Sequence, residues 1–132
     1  MQTKSECLFC EFAKESSQIA FENELAYAKW DDNPVANGHA LVIPKRHAEN
    51  LFSLTDSEML AVFGLMKIAR EAIIRKLPIE PAGYNVFSNT GEHAGQKIMH
   101  AHWHIVPRFI GDEALVLGGR GRTISEIDRS TG

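Results

Sequence analysis

Three histidines stand two residues apart in His100-Ala101-His102-Trp103-His104, inside an apolar run that closes at Pro107. In an extended strand alternate side chains share a face. The pattern therefore sorts the run, with three imidazoles on one side and Ala101, Trp103 and Ile105 turned toward a core on the other. Imidazoles in a row are poor core material, because every ring nitrogen needs a partner. A set of hydrogen-bonded structural histidines is the bland alternative to a functional site. A single metal held by all three is disfavoured by length. A strand rises about 3.3 Å per residue, which puts His100 and His104 about 13 Å apart, against metal–nitrogen bonds of about 2.1 Å. The three are expected to divide their labour.

The rest of the chain supplies a sheet for this strand to join. Residues 19–22 and 25–30 are short apolar runs around Asn23-Glu24 and read as a hairpin. Asp31-Asp32-Asn33-Pro34 breaks the second run, and residues 39–43 read as a third strand stopped by Pro44. Thr55-Asp56-Ser57-Glu58 has the pattern of a capping box. Behind it Met59, Val62, Phe63, Met66, Ile73, Ile74 and Leu77 follow helical spacing, and the helix should end before Pro78. Residues 84–88 and 101–106 complete five strands. The expected fold class is α+β, a mostly antiparallel sheet with one long helix packed on a face.

At 132 residues, with no internal repeat or linker, the chain is expected to form one domain spanning 1–132, with a core of about 7–109 and a softer tail over 110–132. Hydrophobic residues make up 44%, enough for one core, and the net charge of −3 offers no basic face for nucleic acid. No apolar run approaches the roughly 20 residues that span a bilayer. The polar stretch 1–6 lacks a signal-peptide core, so no membrane partner and a cytoplasmic location are expected.

Cys7 and Cys10 are the only cysteines, and in a cytosolic chain a C-x-x-C pair reads as a metal half-site or a redox pair. A tetrahedral zinc site would need two more ligands, for which His39, His47, His93 and the three alternating histidines are all available. Should His100 turn toward the cysteines, His102 and His104 are left for chemistry. The polar loop Asn89-Thr90-Gly91-Glu92-His93-Ala94-Gly95-Gln96 leads into the histidine run. Its glycines could bring backbone N–H groups to a phosphate, or it is an ordinary surface loop. Gly118-Gly119-Arg120-Gly121-Arg122 reads more readily as a flexible tail than as a phosphate site.

Together these segments resemble the histidine triad (HIT) superfamily, whose alternating signature stands here as His100-Ala101-His102-Trp103-His104-Ile105-Val106. The resemblance runs through Asn33-Pro34-Val35-Ala36-Asn37-Gly38-His39-Ala40-Leu41-Val42-Ile43-Pro44-Lys45-Arg46-His47 and the Asn89-x-Gly and Gly95-Gln96 approach. The Cys7-Leu8-Phe9-Cys10 opening matches many microbial members, and coverage is about residues 7–109. What the resemblance implies is a HIT-like fold with a short N-terminal helix, dimerising into a larger sheet, and hydrolysis or transfer of nucleotidyl groups. His102 corresponds to the nucleophile that attacks an α-phosphate and becomes a nucleotidyl-histidine. His39 corresponds to a supporting histidine and His104 to a phosphate contact that can assist the leaving group. Asp31 corresponds to a ribose-hydroxyl acceptor. Asn89, Gly95, Gln96 and Lys97 fall on the phosphate-side approach. Zinc ligands correspond to Cys7, Cys10, His47 and His100.

Physical chemistry agrees with these roles. A histidine nucleophile must offer a bare nitrogen, so its other nitrogen must be held as a donor. Imidazole's ordinary pKa of about 6.5 makes the neutral form available near neutral pH. Zinc at a distance from the reacting atom would fix the strand rather than activate water. Two departures stand out. Lys97 follows Gln96 where many relatives carry Ser or Thr, and His104 stands where the uridylyltransferase branch has Gln, which favours hydrolysis. The substrate class implied is a nucleoside phosphoramidate or a dinucleoside polyphosphate, the former suggested by the likeness of residues 7–30 to the Hint branch. A non-catalytic nucleotide-binding module on the same fold, and a metal-dependent enzyme using the triad as ligands, are the competing readings.

Overall fold

The computed structural model describes residues 7–112. The expectations for 1–6 and for the tail beyond Asp112, including Gly118–Arg122, lie outside the described residues. The elements are α1 (Leu8–Phe12), β1 (Phe21–Glu22), β2 (Ala26–Trp30), β3 (Ala40–Pro44), α2 (Asp56–Lys76), β4 (Gly83–Phe87) and β5 (Trp103–Arg108). The strands form one antiparallel sheet in the order β1-β2-β3-β5-β4. The fold is the expected α+β one, a five-stranded antiparallel sheet with one long helix and a short N-terminal helix. None of the described helices is long and apolar enough to cross a membrane.

The long helix begins where its capping box does. Thr55 accepts from the Glu58 backbone N–H while Glu58 accepts from the Thr55 N–H, so two orphan donors of the first turn are satisfied. Arg46, just past β3, grips the same carboxylate with two bonds of 2.9 Å. That guanidinium holds the Glu58 carboxyl down to about 2, against the opposing effect of burial. The helix buries Val62, Leu65, Ala69 and Ile73, one stripe at spacings of three and four, against Ala26, Ala28, Ala40, Val42, Trp103 and Ile105 of the sheet. The three alanines leave room for the larger helix side chains.

The opposite face of the sheet carries a second cluster. Tyr27, Leu41 and Ile43 pack there against Cys7, Phe9 and Cys10 of the α1 region, and the Tyr27 hydroxyl donates to the Phe9 carbonyl. Because α2 occupies one face, every strand side chain pointing away from it is committed to this side, and that is where the histidines lie.

Several boundaries differ from the sequence-based expectation. The third strand runs one residue later than 39–43: His39 lies just before it, and Pro44 does not stop the strand but is the last residue of β3, paired with Ala26. The first hairpin strand shrinks to Phe21–Glu22, because the Asn23 side chain accepts from the N–H groups of Leu25 and Ala26 and turns the chain at once. The fourth strand starts one residue earlier, at Gly83. The largest difference is in the histidine run, where β5 begins at Trp103 rather than Ala101. Ala101 N–H donates instead to the Ala48 carbonyl, and the His100 ring is drawn to the Pro44 carbonyl, so these residues leave the ladder. At its far end β5 continues through Pro107 to Arg108. Its pairing with β3 stops at Ile105, so among the described residues only β4 adjoins the strand at Pro107, a place that tolerates a residue without an N–H.

Gly38 sets the approach to β3. Its φ of +83° suits glycine, and an added Cβ would stand 3.0 Å from Leu77 Cδ1 and 3.3 Å from Pro107 Cγ. Gly38→Ala is expected to lower stability by about 2 kcal/mol through the left-handed backbone and the close contact together. Urea unfolding followed by tryptophan fluorescence measures it, and an unchanged midpoint would contradict this reading.

Candidate functional site

The first cluster forms where α1 meets the end of β3. Cys7 precedes α1 and caps it, its Sγ accepting from the Cys10 N–H at 3.4 Å. His100 is completely buried beneath it. Its Nε2–H donates to the Pro44 carbonyl at 2.7 Å, which leaves Nδ1 as the nitrogen with the lone pair. That nitrogen lies 3.2 Å from Cys7 Sγ and 3.5 Å from Cys10 Sγ, and His47 Nδ1 lies 3.3 Å from Cys10 Sγ. Bonds of about 2.3 Å to sulfur and 2.1 Å to nitrogen in a tetrahedron put neighbouring ligand atoms roughly 3.5 Å apart. Cys7, Cys10, His47 and His100 are therefore positioned to bind a metal ion, with all four ligand atoms within 4.8 Å of one another. A bare Nδ1 backed by an Nε2–H bond to a carbonyl is the state a metal-ligating imidazole needs. Burial, with help from the neighbouring His47 and His102 and against the Pro44 bond, pushes the His100 ring down to about 4, so it stays neutral.

The second cluster is reached through the backbone of the same residue. The His100 carbonyl accepts from His102 Nδ1–H at 2.7 Å. His102 thus carries its proton on Nδ1 and keeps Nε2 bare. Only 6% of the residue is exposed, and burial lowers its pKa, so the neutral ring predominates near pH 7. The edge-on ring of Phe9 lies 4.9 Å away and that of His104 5.1 Å away. Ser88 Oγ–H donates to the His102 carbonyl at 2.6 Å, clamping the backbone from the β4 side.

His104 sits on β5 between Leu41 of β3 and Phe87 of β4, and the Phe87 ring stacks on it at 4.7 Å. Its Nδ1 is 3.0 Å from Nε2 of buried His39, which precedes β3. Asp31, which follows β2, brings Oδ2 to 3.4 Å from the same His39 nitrogen. Burial, then His102 and His39, push His104 down to about 4. Burial also lowers His39, with the Asp31 carboxylate opposing.

The approach loop is shaped from inside. Gln96 is buried: its Oε1 accepts from the Gly91 N–H, and its amide donates to the carbonyls of Glu49 and Ile98. Its side chain is occupied in holding the loop. Gly95 has φ +98°, and a Cβ there would stand 3.3 Å from Asn89 Nδ2, so the glycine makes room for the half-buried Asn89 amide. Lys97 and His93 are exposed. Sequence reasoning missed Phe9, Ser88 and Phe87, whose only signal is contact across the fold. It also missed Lys29, 3% exposed on the histidine face, its ammonium 3.0 Å from Asp32 and over the Phe12 ring.

This arrangement offers a bare imidazole nitrogen in a dry setting, a pair of hydrogen-bonded imidazoles beside it, one carboxylate and a separate S₂N₂ cradle. The HIT domain family matches residues 13–111. An uncharacterised HIT-like protein of Mycoplasma genitalium is 44% identical over 109 residues, covering 81% of this chain and 76% of that protein. The adenosine 5'-monophosphoramidase of Schizosaccharomyces pombe is 36% identical over 121 residues, covering 90% of this chain and 86% of that one. The crystal structure of a HIT family protein from Bacillus anthracis superposes with a TM-score of 0.76 at 28% identity, covering 98% of this chain and 94% of that one.

The lowered histidine pKa values make stability pH-dependent. Between the ordinary value of about 6.5 and the folded value of about 4, the unfolded chain binds a proton at position 104 that the folded ring refuses. This contribution is present in full above pH 6.5 and is lost as the pH falls toward 4. His104→Gln is expected to show a smaller drop in its urea midpoint between pH 7.5 and 5 than the parent protein. Parallel curves for the two proteins would contradict the shift.

Proposed function

The chain belongs to the HIT domain family, and from that premise we propose that it is a nucleotidyl hydrolase with His102 as its nucleophile. The observation that carries the reading is the 2.7 Å bond from His102 Nδ1–H to the His100 carbonyl, which leaves Nε2 unprotonated. Attack by Nε2 on an α-phosphate forms a P–N bond in line with the bond that breaks, and the leaving group departs with that bond's electron pair, as phosphate or, with a proton taken from solvent, as an amine. The positive charge left on the His102 ring is met by the His100 carbonyl at Nδ1–H. Water then attacks phosphorus and gives up a proton to solvent, the P–Nε2 bond returns its electron pair to the ring, and a nucleoside monophosphate is released. Burial supports the scheme, because polar donors act more strongly on developing charge where water is excluded.

The other residues take supporting roles in the same scheme. His104 contacts the phosphate and leaving-group side, and His39 braces it. Asp31 accepts from a ribose hydroxyl. Asn89 and the backbone around Gly95 face phosphate oxygens, Gln96 holds that loop in shape, and Lys97 adds a cation at its rim. The name of the fission-yeast relative favours a purine nucleoside phosphoramidate as substrate over a dinucleoside polyphosphate. Zinc is the metal suited to Cys7, Cys10, His47 and His100, and when bound it would cross-link α1 to the histidine run without entering the chemistry. A homodimer is also part of this reading: among the described residues β4 is an edge strand with Val86 half exposed, and α2 leaves Leu60 and Phe63 exposed.

His102→Ala should retain the fold and lose at least about 10³-fold in kcat on adenosine phosphoramidate, the scale of a deleted nucleophile. Mass spectrometry of the quenched parent protein should find a nucleotidyl adduct on His102. Turnover by the alanine variant would sink the mechanism, and nucleotide binding without turnover or adduct would mark a binding module instead. Prolonged chelation is expected to lower the melting temperature by several degrees before it affects the chemical step. Immediate loss of turnover with an unchanged melting temperature would point to a catalytic metal.

A further inference from the structure

His39 and His104 meet nitrogen to nitrogen at 3.0 Å, so one proton must lie between them and its owner can be identified. The backbone N–H of Val35 donates to His39 Nδ1 at 3.2 Å. A nitrogen that accepts a hydrogen bond carries no proton, so the neutral His39 ring has its proton on Nε2. Asp31 Oδ2, 3.4 Å from Nε2, independently gives the same answer, because a carboxylate only accepts. His104 Nδ1 must then be the acceptor of the 3.0 Å bond, and the proton of His104 is on its Nε2. His102 has the reverse arrangement, with Nδ1–H against the His100 carbonyl.

We propose that the main-chain N–H of Val35 is a positioning element that sets the polarity of this chain of hydrogen bonds. It fixes His39 as an Nε2–H donor and thereby His104 as an Nε2–H donor, beside a His102 whose Nε2 is bare. Two neighbouring imidazoles on one face are thus held in opposite tautomers, one presenting a lone pair and the other an N–H. His104 acts as a hydrogen-bond donor to the substrate and not as a base. This functional consequence rests on His102 being the nucleophile, whereas the tautomers themselves do not.

The same bond decides a second matter. Asp31, His39 and His104 bring ligand atoms within 4.8 Å of one another, a two-histidine, one-carboxylate set. A cation there would need the lone pair of His39 Nε2, which would move the ring proton to Nδ1 and set it against the Val35 N–H. Two donors would then face each other in a part-buried place. The group is a proton-ordered relay, and the Val35 N–H holds it closed to metals.

Nitrogen-15 spectra of the full chain, labelled at histidine ring nitrogens and loaded with zinc, test this directly. At pH 7.5 His39 and His104 should show the Nε2–H pattern and His102 the Nδ1–H pattern. The Val35 side chain is 66% exposed, so substitution there leaves the core intact. Val35→Pro deletes the N–H and should shift His39 and His104 toward mixed tautomers. Its kcat should fall on the order of tenfold with KM little changed, a partial version of losing one oriented donor. Val35→Ala keeps the N–H and should keep the parent's ring pattern. Added Mn²⁺ should leave the His39 and His104 signals sharp. An Nδ1–H pattern at His39 or His104 in the parent protein overturns the proposal whether or not Val35→Pro folds. So do unaltered tautomers in a folded Val35→Pro, or broadening of both rings by Mn²⁺. Should the tautomers be as stated while no nucleotide conjugate is turned over, the relay stands and the hydrolase reading fails.

Discussion

The bond from the His100 ring to the Pro44 carbonyl is the contact around which the site is organised. A fully buried imidazole needs a partner at each nitrogen, and the carbonyl of the last residue of β3 takes the proton-bearing one. The other nitrogen is then obliged to face the two sulfurs. Anchoring the ring in this way also pulls residues 100–102 out of the β ladder, which turns the His100 carbonyl toward the His102 ring. One residue therefore serves two sites, its side chain completing the metal cradle and its main chain setting the tautomer of the neighbouring histidine. The two sites are separated by no more than the His100 residue itself.

The sheet makes this possible by keeping its two faces chemically distinct. The α2 face is an apolar interdigitation of helix stripe and small strand residues. The other face carries the polar work and is kept dry by α1, whose Phe9 ring lies on His102 and whose Phe12 ring lies over Lys29. Burial is the leading cause of every lowered histidine pKa here. Crowding four imidazoles in water would leave a fraction charged near their ordinary pKa. Burying them suppresses the charge of all four, and His102 adds to the effect on His100 and His104, so lone pairs and N–H groups are available together.

Much of this was legible before any tertiary contact was known. The capping box at Thr55 starts the helix where its four residues predict, since N-cap bonding is local. Period-two alternation correctly turned Trp103 and Ile105 to the core, for the same local reason. Segment edges were less legible. β5 starts two residues later than its pattern suggests because Ala101 N–H finds the Ala48 carbonyl, a partner that periodicity does not encode. Gln96 looks like a binding residue in a polar loop, yet its three bonds are spent on Gly91, Glu49 and Ile98. Ser88 gave no signal, because its target is the backbone of a residue 14 positions on.

The amino-acid sequence by itself determined the list of chemical groups and the faces of the elements that carry them, because periodicity, capping and turn preferences act over a few residues. It also limited how many histidines one metal could take for as long as the run stays extended, since strand rise is a property of the backbone. Only the tertiary structure decided which partners each histidine meets. The cradle joins Cys7 to His100 across 93 positions, and the second cluster joins His39 to His104 across 65. A neutral imidazole has one proton and two nitrogens, and nothing within the ring's own sequence neighbourhood chooses between them. The choice falls to the carbonyls of Pro44 and His100 and the N–H of Val35, groups every residue type possesses and which become specific only through where the fold places them.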